Sequence, residues 1–235
     1  MCGIFAIFAS SLEDIELRRE LITCSSRLRH RGPDWSGYMV ISPDDEKPLA
    51  HGIAHERLAI MDPESGSQPL VSEDGNVIVA ANGEIYNYKE IYRDLVDSYT
   101  PKTGSDCEVI LPLYAQYGPS VELAKKLRGM FSFIVYDKAK DLFIVIRDHI
   151  GITPLYIGWA NDGSIYVGSE MKSMVDACNT LQQFPPGHIY CSKGPHANEF
   201  VRWYTPEWAI NPTGPLPTTA YNAVRYFTFL EFCHA

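Results

Sequence analysis

Met130-Phe131-Ser132-Phe133-Ile134-Val135-Tyr136 is the stretch on which the fold turns. A strand with one wet face alternates apolar and polar residues, whereas this run is apolar on both faces and so must be covered on both. Stacked sheets flanked by helices meet that requirement. On its C-terminal side, Leu142 to Arg147, Leu155 to Trp159 and Ser164 to Gly168 have strand character and short Asp, Asn and Gly turns between them, which reads as a meander. On its N-terminal side, the capping-box pattern Ser105-Asp106-Cys107-Glu108 opens a helix with Val109, Ile110, Leu113 and Tyr117 facing inward. Pro112 is expected to kink that helix and Gly118 to end it. A second box, Asn87 with Glu90, opens a helix that carries Ile91 and Leu95 on one face.

Farther upstream, Leu49 to Ile60 and Asn76 to Ala81 favour strands and are expected to be antiparallel neighbours, with Pro63 to Pro69 punctuating the interval. Arg29 to Gly37 is rich in turn formers and reads as a loop. Ile4 to Ala9 reads as a buried strand, and Leu17, Leu21, Cys24 and Leu28 follow at helical spacing. Beyond Tyr204, prolines 206, 212, 215 and 217 mark a linker, so residues 1–204 are expected to form the domain and 205–235 a linker and tail.

The chain has 235 residues, 46% hydrophobic and 21% charged, which is enough to bury a sizeable core. Its net charge, 20 minus 29 or −9, offers no footprint for phosphate backbones or anionic lipid, so nucleic acid is not an expected partner. No apolar run approaches the ~18 residues of a membrane span. The six cysteines show no CxxC pair, and His55-Glu56-Arg57-Leu58 is followed by Ala59, so no HExxH exists. Reduced thiols without a metal site, in the cytoplasm, are the expectation.

Five positions carry candidate chemistry. Cys2 is one of six cysteines, so chance occupation of a given position is about 3%. Loss of Met1 would give it a thiol and a free α-amine, uniting nucleophile and general base in one residue. Asn82-Gly83 reads either as a hairpin turn or as an amide and a backbone N–H aimed at a developing oxyanion. Arg57 reads either as an ordinary strand cation or as a bidentate clamp for a carboxylate. Asp106 suits the first turn of a helix for structural reasons alone, and equally suits an ammonium partner.

Taken together the residues form a set. Met1-Cys2-Gly3-Ile4-Phe5, His30-Arg31-Gly32-Pro33-Asp34-Trp35-Ser36-Gly37, His55-Glu56-Arg57-Leu58-Ala59-Ile60, Asn82-Gly83-Glu84-Ile85-Tyr86-Asn87, Gly104 to Ile110, Gly129-Met130-Phe131, Arg147-Asp148 and Phe184 to His188 run in order along the chain. They resemble the class II glutamine amidotransferase domain, an N-terminal-nucleophile hydrolase. Within that group, the Arg-Gly-Pro-Asp form is similar to the glutaminase domain of the asparagine synthetase family.

The resemblance implies an α+β fold, the four-layer αββα sandwich. It implies that Cys2 attacks the glutamine side-chain amide, that Asn82 and the Gly83 N–H form the oxyanion hole, and that Arg57 and Asp106 hold the α-carboxylate and α-ammonium. The backbone of Leu58, Ile60, Met61 and Glu84 would line the pocket. No cofactor is implied for glutamine hydrolysis. ATP and Mg belong to a second, synthetase domain, marked in that family by a Ser-Gly-Gly-x-Asp-Ser-Ser loop that this sequence lacks. Pro217 to Arg225 looks like the linker helix into that domain, whereas Tyr226 to Ala235 does not resemble its continuation, so a truncated or alternatively spliced product is expected. The implied partners are glutamine, full-length subunits of the same family and a second copy in a homodimer. The alternative is a non-catalytic form that binds or regulates such subunits.

Overall fold

The computed structural model describes residues 1–43, 48–60, 62, 64–95 and 99–206. The chain runs β1 (Gly3–Ser10), α1 (Asp14–Ser26), β2 (Trp35–Ile41), β3 (Ala50–Arg57), β4 (Leu70–Val71), β5 (Val77–Ile85), α2 (Tyr88–Asp94), a 3₁₀ turn (Asp106–Val109), α3 (Ile110–Tyr117) and α4 (Val121–Lys126). It continues through β6 (Gly129–Asp137), β7 (Leu142–Arg147), β8 (Tyr156–Trp159), β9 (Ile165–Gly168), a 3₁₀ turn (Met171–Ser173), β10 (Thr180–Gln183), β11 (His188–Cys191) and β12 (Phe200–Arg202). Met1–Tyr204 is one compact unit. Of residues 205–235 only the first two are described, so the expectations for the linker and tail lie outside the described residues.

Two six-stranded sheets result, in the orders β10-β8-β9-β1-β3-β2 and β12-β11-β7-β6-β5-β4. Strand alternation assigns their faces. On β6, Phe131, Phe133 and Val135 pack with Ile91, Ile110, Leu113, Tyr114 and Leu123 from the helical layer. Ile134 and Tyr136 point the other way and meet Ile4, Ala6 and Phe8 of β1 and Ile53 of β3. The far face of the first sheet takes α1, with Leu17, Leu21, Cys24 and Leu28 against Phe5, Ile7 and Ala54. The layers are therefore α, β, β, α, and the run 130–136 is apolar on both faces because each faces a core. Burying one such side chain contributes about 1.5–3 kcal/mol.

Several local expectations change in the fold. Leu49 to Ile60 and Asn76 to Ala81 are not neighbours: β3 pairs with β1 and β2, while β5 pairs with β4 and β6 in the other sheet. Alternation tells which face of a strand is buried, but not which sheet owns it. The meander is likewise two hairpins, β6–β7 in one sheet and β8–β9 in the other. Neither capping box forms. Asn87 instead bridges a distant turn, donating to the Lys126 carbonyl and accepting from the Arg128 N–H, both at 2.9 Å. Glu108 accepts from the N–H groups of Lys102 and Thr103 at 2.7 Å and from the Tyr99 hydroxyl, clamping the preceding loop. Pro112 falls in the first turn of α3, where the helix changes from 3₁₀ to α at Ile110, and Gly118 closes α3 with its N–H on the Tyr114 carbonyl. The supposed loop 29–37 already enters β2 at Trp35.

Candidate active site

The apolar layer between the sheets turns polar at one end, along the same register positions. Cys2 precedes Ile4 and Ala6 on β1; His55 and Arg57 follow Ile53 on β3; Asn82 follows Ile78 and Ala80 on β5; Ser132 precedes Ile134 on β6. Period-two geometry thus carries five polar side chains toward a site whose walls are the core itself. His55, Arg57, Asn82 and Ser132 are all buried.

A cavity of about 70 Å³ opens there, lined by Cys2, Arg57, Leu58, Ile60, Gly83, Glu84 and Asp106 among others. Seven of the residues singled out in the sequence are brought together. Asn82 lies immediately behind this lining, fully buried. Met61 lies outside the described residues.

Cys2 sits at the head of β1. Its Sγ accepts from the Leu58 N–H at 3.3 Å, and its carbonyl accepts from Arg31 Nε at 2.9 Å. Arg31 is itself held by Glu170 at 2.9 Å. Burial works against the Glu170 anion, yet Arg31, His30 and Lys172 hold its carboxyl down to about 2. Burial pushes the Cys2 thiol up, opposed by the Leu58 N–H and by the positive Met1 ammonium, Arg57 and Arg31. Met1 lines the cavity as well, so its removal would open the pocket and bring an ammonium onto the Cys2 α-carbon.

Asn82-Gly83 is not a turn. Both residues lie inside β5, with Asn82 opposite Ser132 and Gly83 opposite Phe131. Gly83 adopts φ 147°, and a Cβ there would stand 2.0 Å from the Met130 carbonyl oxygen, so only glycine fits. Its amide direction follows from its neighbours. The N–H groups of Ala81 and Ile85 point off the open edge of β5, to Gln68 Oε1 at 2.7 Å and Asp106 Oδ2 at 2.6 Å. By alternation the Gly83 N–H between them points the same way, into the cavity. Among the described residues Asn82 Nδ2 and Oδ1 have no hydrogen-bond partner.

Arg57 Nη2 donates to the Asp62 carbonyl, and Asp62 Oδ2 accepts from the Gly104 N–H at 2.7 Å, which ties the arginine loop to the segment leading into Asp106. Burial pushes the Asp106 carboxyl up, against the stabilising N–H of Ile85. Asp34 accepts from the Ala59 N–H at 2.8 Å and so pins the end of the same loop.

Reasoning from the sequence missed His55, Asp62, Gln68, Cys107 and Met130, of which all but Asp62 line the cavity. His55 was readable, sharing the parity of Ile53 and Arg57. Gln68 and Asp62 lie in an irregular segment where no period exists. Among the described residues no cluster could hold a metal ion, and no helix is long and apolar enough to cross a membrane.

Residues 1–190 match the family model described as a glutamine amidotransferase domain. The chain is 44% identical over 225 residues to asparagine synthetase [glutamine-hydrolyzing] from Asparagus officinalis, covering 94% of this chain and 35% of that protein. It is 47% identical over 220 residues to a probable asparagine synthetase [glutamine-hydrolyzing] from Dictyostelium discoideum, covering 92% and 37%. The chain therefore spans about a third of the length of the curated relatives it matches. Among solved structures it is similar to the glutamine phosphoribosylpyrophosphate amidotransferase from B. subtilis, with a TM-score of 0.70 at 20% identity, covering 87% of this chain and 50% of that one. The allosteric regulatory enzyme of purine biosynthesis gives a TM-score of 0.69 at 21% identity, with the same coverage. These two likenesses are of fold.

Proposed function

This chain belongs to the glutamine amidotransferase domain family, and from that premise we propose that it hydrolyses glutamine to glutamate and ammonia with Cys2 as the nucleophile. Removal of Met1 frees the Cys2 α-amine, whose pKa of about 7.7–8.0 suits a base near neutrality. The amine takes the thiol proton as Sγ attacks the carboxamide carbon. The Gly83 N–H and Asn82 Nδ2 receive the oxyanion, and collapse expels ammonia with the proton returned by the α-ammonium. Water then hydrolyses the thioester, releasing glutamate and the Cys2 thiol.

Arg57 binds the substrate α-carboxylate and Asp106 its α-ammonium, while the backbone of Leu58, Ile60 and Glu84 shapes the pocket around the chain between them. No metal or organic cofactor takes part in this sequence of steps. The observation that carries the reading is Asn82. A fully buried amide with both polar atoms unpartnered among the described residues costs stability, and it adjoins Gly83, which lines the cavity together with Cys2.

In the same proposal the ammonia serves ATP-dependent asparagine synthesis from aspartate, with the second half-reaction supplied by a synthetase module of the kind the relatives' names describe. The thiol chemistry suits a reducing compartment such as the cytoplasm. The test is glutamate and ammonia release from glutamine by the purified chain, with Cys2→Ala as the blank and an intact mass establishing loss of Met1. Turnover that disappears in Cys2→Ala is expected. A mature chain with a free Cys2 thiol and no ammonia release refutes the reading.

A further inference from the structure

The oxyanion residues lie on a stretch of strand that is paired with β6 on one side and, among the described residues, has no strand on the other. In the second sheet β4 is only two residues long and pairs Leu70 with Val79 and Val71 with Ile78, so β5 beyond Val79 is an open edge. An open edge presents backbone N–H and C=O groups that must find partners, and it is held less firmly than a strand inside a ladder. At Ala81, the residue before Asn82, both groups are taken by side chains. Gln68 Oε1 accepts from the Ala81 N–H at 2.7 Å, and His55 Nε2 lies 3.0 Å from the Ala81 carbonyl. A carbonyl only accepts, so His55 donates from Nε2. Burial pushes the His55 imidazole down to about 4, so it is neutral and carries its single proton on that nitrogen.

The two side chains come from different places. His55 reaches across from β3 in the other sheet and is fully buried. Gln68 is also buried and is fixed by its own backbone, which passes so close to Gly37 of β2 that a Cβ there would meet the Gln68 carbonyl oxygen at 1.9 Å. Each pin is thus anchored in rigid structure, and together they stand where a longer β4 would stand.

We propose that Gln68 and His55 are positioning residues for the oxyanion hole, clamping Ala81 so that the Asn82 amide and the Gly83 N–H hold their aim. The inference rests on the glutaminase reading for its kinetic consequence, and on hydrogen bonding alone for its structural one. Neither side chain is asked to touch the reacting atoms. A misplacement of about 1 Å at such a site costs up to about 10²-fold in rate. The loss should fall on turnover rather than on substrate capture, because Arg57 and Asp106 are held by other contacts.

The test compares the full chain with Gln68→Met, which keeps length and removes the acceptor, and Gln68→Glu, which keeps an acceptor at the same reach. Hydrogen exchange is read amide by amide along β5. In Gln68→Met exchange at Ala81 is expected to rise at least tenfold while Val79, paired to β4, is unchanged; Gln68→Glu retains the protection. Glutamine turnover by Gln68→Met is expected to fall ten- to a hundredfold in kcat with KM within about twofold. His55→Ala, checked for folding by its thermal transition, is expected to show the same split. Unchanged exchange at Ala81 in Gln68→Met overturns the clamp whether or not the chain turns over glutamine. Altered exchange with an unchanged kcat overturns its role in the oxyanion hole. Failure of the glutaminase reading shows itself separately, as a wild-type chain whose turnover equals that of Cys2→Ala.

Discussion

Asn82→Ala separates a catalytic amide from a structural one, because the two roles predict opposite signs in stability. As an oxyanion donor, its removal should cost 10²–10³ in kcat, about 2.7–4 kcal/mol of transition-state stabilisation. Among the described residues, however, Asn82 Nδ2 and Oδ1 have no partners, so truncation deletes no hydrogen bond to them. A buried polar group left unsatisfied carries about 1–3 kcal/mol of desolvation, and alanine removes two of them. Against this stands the small void left by a carboxamide, a cost of the order of 1 kcal/mol. The net change is therefore near zero or stabilising. For a chain of this length about 1 kcal/mol moves Tm by about 2–4 °C, so Tm should hold or rise by a few degrees while kcat collapses. The assay is ammonia release under saturating glutamine together with thermal denaturation of the same preparation. A fall in Tm of several degrees, with activity lost only in proportion to the unfolded fraction, would refute the argument and make Asn82 a structural residue.

Two further outcomes test the ends of the substrate. Arg57→Lys should raise KM for glutamine at least tenfold with a smaller effect on kcat, since a point charge cannot present the paired N–H groups of a guanidinium to a carboxylate; unchanged kinetics would remove Arg57 from the site. Because the Asp106 carboxyl is raised by burial, it gains a proton at a higher pH than an ordinary aspartate as acid is added, and with its charge goes the partner of the substrate ammonium. KM should thus climb on the acid side as pH falls through that raised value, with kcat following later, and a KM flat across the acid range in which the chain stays folded would exclude the pairing.

How much of this was legible in the sequence depended on whether a signal was periodic. The double-sided apolar run 130–136 yielded the layered architecture, and α1 followed from Leu17, Leu21 and Cys24, all buried, with Leu28 buried just beyond its end. Cys2, Arg57, Gly83 and Asp106, far apart in the chain, meet at one cavity as the motif reading requires. The failures share a cause. Asn-Gly is a strong local turn signal, yet nine consecutive residue pairs with β6 hold Asn82 and Gly83 in a strand, so long-range pairing overrides local preference. The two capping boxes failed because Asn87 bonds to a distant turn and Glu108 to the loop just before it rather than to their own helix ends. Gln68 could not have been found: its importance arises from the shortness of β4, a property of the neighbouring strand rather than of its own surroundings in sequence.

In the first sheet β1 lies between β9 and β3, with ladders on both sides, and Cys2 is the residue that enters it. Cys2 therefore stands at the head of a central strand and at the lip of the cavity, which under the glutaminase reading leaves that end of the domain unsuited to additions. An affinity tag, a fluorescent protein or a fused enzyme joined before Met1, which lines the cavity, would crowd it and, on the proposed mechanism, block the processing that would free Cys2. Such additions have to be attached after Tyr204, or be severed cleanly in front of Cys2 before the first turnover.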